Sequence, residues 1–359
     1  MNETPSEISV LPSPRGPLSQ GVIGVLRGDA ELDGDMVEEL LRIASTAAPY
    51  GDDLHLALHT CYELHYRGVE FVDPRWEWDP DLLRVRAGLE QRFLATLRQD
   101  VAGGVDLEGE IAALLIEPED GIARYLAEQG EWPELREFFI HRSIYHHKEA
   151  DPHAWVIPRL HGAAKAALVA LEFDEFGSGH ADRMHARLYA DLLTGAGLNP
   201  DYLHYLDDVP APMLALVNLM SLFGLHRDLR GALIGQLTAA EITSSPSARR
   251  MVAALRRLEA DPACERFYAE HVEADAVHEQ VMRREVVGNL LAAEPELTES
   301  VVFGIQASNL LEDHFNEVVL HHHWRAGQSS LLPSMSSEER IGDALCPPNQ
   351  TLLNTAASH

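Results

Sequence analysis

Apolar residues recur at helical spacing along most of the chain, and no segment sustains the two-residue alternation of a β-strand. In the first third, the pattern is clearest in DMVEELLRIAS and PDLLRVRAGLEQRFLATLRQDV. Longer helices are predicted after residue 131, beginning with PELREFFIHRSIYHHKE and ending with a helix through residues 299–325. The pattern therefore predicts an all-α fold.

Between the PELREFFIHRSIYHHKE helix and the helix through residues 299–325, the predicted helices have less clear boundaries. We expect a helix that runs from PRLHGAAKAALVALEFDEF towards HARLYADLLTGAG, and another over residues 212–241. Ser245-Pro246 is typical of a helix start and predicts a separate helix in SARRMVAALRRLEA. The segment CERFYAEHVEADAVHEQVMRREVVGNLLAA predicts one further long helix.

The composition of these segments divides the chain into four parts. Residues 1–20 and 326–359 contain Ser and Pro without helical periodicity, which predicts disordered tails. Residues 21–130 form an N-terminal helical region that we expect to cover the core or to mediate dimerisation. Residues 131–325 form the compact core, a bundle of about seven helices.

Charge and cysteine content exclude several classes of protein. The chain has 57 acidic and 28 basic residues, a formal net charge of -29, which argues against nucleic acid and anionic membranes as partners. Its three cysteines, Cys61, Cys264 and Cys346, lack CxxC spacing, which argues against a disulfide framework and against zinc-ribbon or iron–sulfur sites. No signal peptide or membrane anchor is visible, so we expect a reducing, cytoplasmic setting.

The segment HVEADAVHE carries the clearest metal-binding pattern. At about 100° per residue, His271, Asp275 and His278 share one narrow helical face. Two imidazoles and a carboxylate with open positions suit non-haem iron, whereas structural zinc favours thiolates. A polar, solvent-facing stripe is the alternative explanation of this spacing.

Two further groups of candidate ligands precede this segment. Glu175, Asp182 and His185 would face one site from a single helix, and glycines between them suggest close backbone approach or room for a ligand. Glu149 adds a carboxylate just before a proline that ends or bends its helix.

In order and spacing, these residues resemble the haem-oxygenase-like diiron oxidases, a family also described as iron-containing redox enzymes. The resemblance covers residues 131–325 and is closest to actinobacterial members in RSIYHHKEADPHAWVIPRL, DEFGSGHADRMHARLY and HVEADAVHE. It implies a haem-oxygenase-like helical bundle and six ligands of two irons: Glu149, Glu175, His185, His271, Asp275 and His278. Asp182 matches a carboxylate that joins or leaves as oxygen binds, although it is one methylene shorter than the Glu often found there.

The resemblance also implies a function. Two Fe²⁺ ions together supply two electrons to O₂, and a small organic substrate is oxidised by N-oxygenation, hydroxylation, desaturation or oxidative C–C cleavage. Some related proteins carry a small iron–sulfur domain after this core, but the chain shows no such ligands after residue 325, so we expect an external reductant. The sequence is compatible with a homodimer.

Three alternatives remain. A mononuclear iron enzyme would use only His271, Asp275 and His278, and a non-catalytic helical protein would bind metal or ligand without turnover. A metal-free enzyme related by fold to thiaminase-like proteins would need a cysteine nucleophile in the pocket.

Several other polar residues receive secondary assignments. His55, His59 and Glu63 have helical spacing, but their apolar neighbours favour a packing segment outside the metal site. Glu241 stands in a small-residue segment and is expected to pair with Arg249 or Arg250 or to face the pocket. Histidines beside Glu149 are candidates for hydrogen bonding to a ligand or for simple exposure: His146, His147 and His153.

Overall fold

The computed structural model describes residues 6–333, apart from the side chains of Glu273, Asp275 and Ala276. Every regular element in this part of the chain is helical, which confirms the all-α prediction; Ser9 and Val69 form an isolated β-bridge. Six helices precede the predicted core: α1 Pro17–Arg27, α2 Gly34–Thr46, α3 Asp52–Glu63, α4 Pro80–Asp100, α5 Leu107–Leu114 and α6 Ile122–Glu128.

Nine more helices follow. They are α7 Trp132–His146, α8 Asp151–Ala154, α9 Gly162–Glu175, α10 His185–Gly195, α11 Ala211–Leu225, α12 Arg230–Arg257, α13 Pro262–Gln280, α14 Gly288–Ala293 and α15 Thr298–Asn316. A π-helical stretch, Val281–Val287, joins α13 to α14 without a break, and a second, Glu317–His323, extends α15. The one long helix predicted over CERFYAEHVEADAVHEQVMRREVVGNLLAA is therefore confirmed.

Two predicted boundaries around α12 are wrong. The helix expected over residues 212–241 is interrupted, because α11 ends at Leu225 and α12 begins at Arg230. Ser245-Pro246 does not start a new helix, since α12 continues through Pro246. A proline inside a helix forfeits one backbone hydrogen bond, but α12 is long and packs along α13 and α15, which hold it together.

One hydrophobic core runs through the described chain, from Leu18 in α1 to Trp324 after α15. The N-terminal helices share this core: α3 packs on α11, and α6 packs on α12. Helices α12 and α15 approach each other closely, because an added Cβ at Gly304 would lie 2.0 Å from the carbonyl oxygen of Ala232. No helix within residues 6–333 has the length and apolar character needed to cross a bilayer.

The two ends of the described chain meet at the turn Leu206–Asp208. Ser13 donates to Asp207 through its backbone N–H at 2.9 Å and its hydroxyl at 3.0 Å, and Arg15 donates to the carbonyl oxygen of Leu206 at 2.6 Å. From the other end, the Leu332 N–H donates to the carbonyl oxygen of Asp208 at 2.8 Å.

These contacts differ from the disordered tails expected for residues 1–20 and 326–359. Composition could not reveal the acceptors, because they lie nearly 200 residues away from Ser13 in sequence. Residues 1–5 and 334–359 lie outside the described part of the chain.

Candidate metal centre

Three helices and one turn bring five of the predicted ligands into the interior. Glu149 lies in the turn between α7 and α8, where Ala150 adopts a positive φ of 74°. Glu175 is the last residue of α9, and His185 is the first residue of α10. His271 and His278 both lie on α13, as their spacing predicted.

The prediction of a single helix through Glu175 and His185 is wrong. The chain turns sharply between α9 and α10, with positive φ at Gly177 (72°), Ser178 (52°) and Gly179 (82°). Glycine is required at Gly177, because a Cβ there would also lie 2.6 Å from the backbone nitrogen of Met184. The turn brings His185 back towards Glu175, so the expected close backbone approach is present.

The first set of ligand atoms comes from Glu149, His185 and His271. All three lie within 4.8 Å of one another. The rings of His185 and His271 lie 4.4 Å apart, and His271 Nε2 is 3.6 Å from Glu149 Oε2. His271 Nδ1–H donates to the carbonyl oxygen of Phe267 at 2.8 Å, which fixes the ring orientation and leaves Nε2 facing the site.

The second set comes from Glu175, Glu241 and His278, again with ligand atoms within 4.8 Å of one another. His278 Nδ1 lies 3.3 Å from Glu175 Oε1 and 3.3 Å from Glu241 Oε2. Glu175 also reaches the first set, because its Oε2 is 2.6 Å from His185 Nδ1. One carboxylate therefore contacts both sets, one oxygen towards each.

Without metal, the two sets hold their charges as carboxylate–imidazolium pairs. Burial raises the pKa of Glu175, but the neighbouring His185 and His278 outweigh this effect and lower it. Burial lowers the pKa of His278, but hydrogen bonds to Glu175 and Glu241 raise it to about 11. In His185 the Glu175 carboxylate likewise overcomes burial and raises the pKa. Metal ions would take the place of these protons.

Asp182 is not brought into either set. It lies exposed in the short 3₁₀ turn Ala181–Arg183 between α9 and α10. Its role as a ligand stays a prediction. Asp275 belongs to α13, but its side chain lies outside the described residues, so its role as a ligand also stays a prediction.

Glu241 is the residue whose position the sequence left open. Its suggested partners point elsewhere: Arg249 donates to the Ser245 hydroxyl, and Arg250 pairs with Glu117. The carboxylate instead reaches His278, and of the two expectations, the pocket is the correct one. A lone acidic residue on the buried face of α12 was the available signal.

Residues predicted to support the site have distinct positions. His146 Nδ1 lies 3.1 Å from Glu149 Oε2, and His153 Nε2–H donates to Gln236 at 2.7 Å. His147 is buried, and its ring centroid lies 6.0 Å from that of Tyr189 and 6.0 Å from that of Tyr202. His146 is therefore the histidine that hydrogen-bonds to a candidate ligand.

The donor set suits iron. Imidazole nitrogen and carboxylate oxygen bind first-row divalent metals at about 2.0–2.2 Å, so ligand atoms around one ion lie within about 4.4 Å of one another. Both sets come close to this spacing. They contain no thiolate, and Cys264, the nearest cysteine in sequence, is buried and hydrogen-bonded to the carbonyl oxygen of Leu192.

Residues 136–313 match a family described as iron-containing redox enzymes. The chain belongs to this family. The matched segment contains all six residues of the two ligand sets, so the candidate metal centre lies within the part of the chain that matches the family. A comparison with curated proteins gives no match.

Proposed function

We propose that this iron-containing redox enzyme is a non-haem diiron oxidase that uses O₂ to oxidise a small organic substrate. One observation carries the proposal: two adjacent sets of nitrogen and oxygen donors share Glu175. Glu149, His185 and His271 would hold one iron, and Glu175, Glu241 and His278 would hold the other. When bound, two ferrous ions together supply two electrons to O₂.

The protein's own residues would orient and shield this centre. Glu175 would serve as a ligand in both sets, because one of its oxygens contacts His185 and the other contacts His278. His146 would hold Glu149 in place, and Phe267 would do so for His271 through its carbonyl group. A cavity of about 490 Å³ adjoins both sets, which is a usual size for a small-molecule pocket.

The mononuclear alternative is less well supported. It requires His271 and His278 to converge on one ion, but they are seven residues apart on α13, about 10 Å along the helix axis. Their ligand atoms fall in different sets. The two-iron proposal accounts for both histidines and for Glu241.

The test is to load anaerobic apoprotein with Fe(II), remove unbound metal, count iron per chain and follow the visible spectrum as O₂ is admitted. We expect about two irons and a transient absorption change. One iron with full O₂ reactivity would favour the mononuclear enzyme, and two irons without O₂ reactivity would favour a non-catalytic metal-binding protein.

Two matched carboxylate variants sharpen this measurement. Glu241→Gln should lower the iron count towards one, because the second set loses an anionic ligand. Asp182→Asn should leave the count unchanged, since Asp182 is exposed and outside both sets. An unchanged count in Glu241→Gln, or a loss in Asp182→Asn, would contradict this assignment of ligands.

A further inference from the structure

The cavity beside the ligand sets has an unusual balance of charge. Apolar side chains form part of its wall, including Leu216, Leu219 and Met251. Seven carboxyl groups also line it, against three arginines. The carboxyl groups belong to Glu117, Glu149, Glu172, Glu175, Glu241, Glu312 and Asp313.

None of the three lining arginines is left without a carboxylate. Arg142 makes two hydrogen bonds to Glu312, at 2.9 and 2.7 Å. Arg250 donates to Glu117 at 3.0 Å. The third, Arg124, donates to the carboxylate of Glu128 at 2.8 Å. An anionic substrate would have to break one of these pairs to find a cation.

The histidines that line the cavity do not supply positive charge either. His146 is already paired with the Glu149 carboxylate at 3.1 Å. His153 donates to Gln236 at 2.7 Å, and burial lowers its pKa despite this hydrogen bond. His271 lies in the first ligand set and would be committed to iron. The cavity therefore favours a neutral or cationic occupant.

Glu172 stands out among the carboxyl groups. It lies on α9, one turn before Glu175, lines the cavity, and is only 3% exposed. Both of its carboxyl oxygens are buried, and neither has a hydrogen-bond partner among the described residues. Leaving a buried carboxyl group unsatisfied is costly, so such a group at a cavity wall indicates a partner that arrives with a ligand.

The irons would not satisfy Glu172. Its oxygens belong to neither ligand set. Two ferrous ions carry four positive charges, which the carboxylates of Glu149, Glu175, Glu241 and the predicted ligand Asp275 would offset. Glu172 is then the buried carboxyl group that remains without a counter-ion. Burial raises its pKa to about 9 in the empty cavity, and a bound cation would lower this pKa and hold the group as a carboxylate.

We propose that Glu172 binds the charged nitrogen of the substrate, and that the substrate is a small organic cation with N–H donors, such as a protonated amine. This inference rests on the proposed function, because it assigns the substrate class of the same site. An N–H donor on a cation would give Glu172 both the hydrogen bond and the counter-charge that it lacks. The apolar wall would contact the carbon skeleton.

The test compares three probes of equal chain length on the iron-loaded protein under anaerobic conditions: hexylammonium, 1-hexanol and hexanoate. Titration calorimetry should show that hexylammonium binds at least tenfold more tightly than 1-hexanol, and that hexanoate binds most weakly. Equal affinities for hexylammonium and 1-hexanol would overturn the proposal. This comparison needs no variant, so it does not depend on the folding of one.

Glu172→Gln provides the second measurement, because glutamine keeps the size and one acceptor oxygen but cannot carry the negative charge. We expect about a tenfold loss of hexylammonium affinity, with 1-hexanol binding unchanged. Asp313→Asn is the matched control, since Asp313 lines the same cavity but is exposed, and it should retain the preference for ammonium. Equal losses in the two variants, or no loss in Glu172→Gln, would contradict the role of Glu172.

The iron count, measured on the same samples, separates this proposal from the proposed function. If the protein binds one iron or none but prefers ammonium in a way that depends on Glu172, the result supports the cation site and contradicts the diiron oxidase. Two irons without an ammonium preference would support the diiron oxidase and contradict the cation site.

Discussion

Replacement of Glu63 by Gln should weaken one iron site through a contact with the N-terminal helices. The carboxylate of Glu63, at the end of α3, accepts hydrogen bonds from Lys148 Nζ and from the Tyr202 hydroxyl, the latter at 2.8 Å. Lys148 immediately precedes Glu149 and is only 1% exposed. This ion pair therefore anchors the turn that carries a candidate ligand of the first set.

The magnitude follows from the burial of both partners. Breaking a buried ion pair by removing one partner costs about 3–5 kcal/mol, because the other charge stays buried. The lower end applies here, since the Tyr66 ring lies 4.5 Å from Lys148 Nζ and retains part of the stabilisation. Unfolding entropy of about 2.1 cal/mol/K per residue then converts about 3 kcal/mol into a fall in Tm of roughly 4 °C for a chain of this length.

The assay is the iron count per chain together with Tm, on Glu63→Gln and on a matched variant, Glu90→Gln. Glu90 is also a buried carboxylate in the N-terminal helices; it pairs with Arg86 at 3.1 Å and accepts from Tyr62 at 3.0 Å. No contact joins it to the turn of Glu149 among the described residues. Both variants should lose stability, but only Glu63→Gln should lose iron, from about two per chain towards one.

Equal iron loss in the two variants would refute the reasoning, because general destabilisation would then explain it. Full iron retention in Glu63→Gln would refute it as well. A double variant, Glu63→Met with Lys148→Met, removes the buried charge and should recover stability. It should not recover the iron, because the turn remains without its anchor.

Two further predictions concern stability. Burial lowers the pKa of His55 from 6.5 to about 4, so its neutral form is favoured in the folded state. The contribution of His55 to stability is full above about pH 6.5, falls by up to about 3 kcal/mol as the pH drops from 6.5 to 4, and changes little below 4. Urea unfolding at pH 7 and pH 4.5 should therefore show a smaller difference in His55→Gln than in the wild type, and an equal difference would contradict the shift. Gly304→Ala should cost about 3 kcal/mol or more, because its Cβ would meet Ala232, whereas Gly24→Ala, with open space around it, should be neutral or slightly stabilising in thermal unfolding. Similar Tm values for the two glycine variants would refute the close approach of α12 and α15.

Much of the fold could be predicted from periodicity alone. The segment PDLLRVRAGLEQRFLATLRQDV predicts the bounds of helix α4 to within one residue, and the pattern after Asp261 predicts one long helix, which the structure confirms. Errors occur where tertiary contacts override local signals. Ser245-Pro246 predicts a helix start, yet α12 continues through Pro246, held by its packing along α13 and α15.

The site was predictable where ligands share one element. His271 and His278 follow from spacing on a single helix. The role of Glu241 could not be predicted from spacing, because nothing within α12 reveals that His278 lies opposite it. The turn between α9 and α10 was also missed, since helical geometry extended through Gly177 gives an acceptable face without the reversal that positive φ imposes.

Glu63 on α3 also has a contact that sequence spacing does not reveal. Its segment was predicted to serve packing, and all of Leu54–Glu63 is indeed buried. Burial on every face differs from the amphipathic pattern expected. The contact with Lys148 joins residues 85 positions apart, which sequence spacing cannot show.

The meeting of the two ends of the described residues at Leu206–Asp208 has a dynamic consequence. Ser13, Arg15 and Leu332 all hydrogen-bond to this one turn. Local opening of the turn would release the two segments together, so they form one cooperative unit of exchange. The amides of residues 13 and 332, more than 300 positions apart, should then exchange hydrogen for deuterium at matched rates.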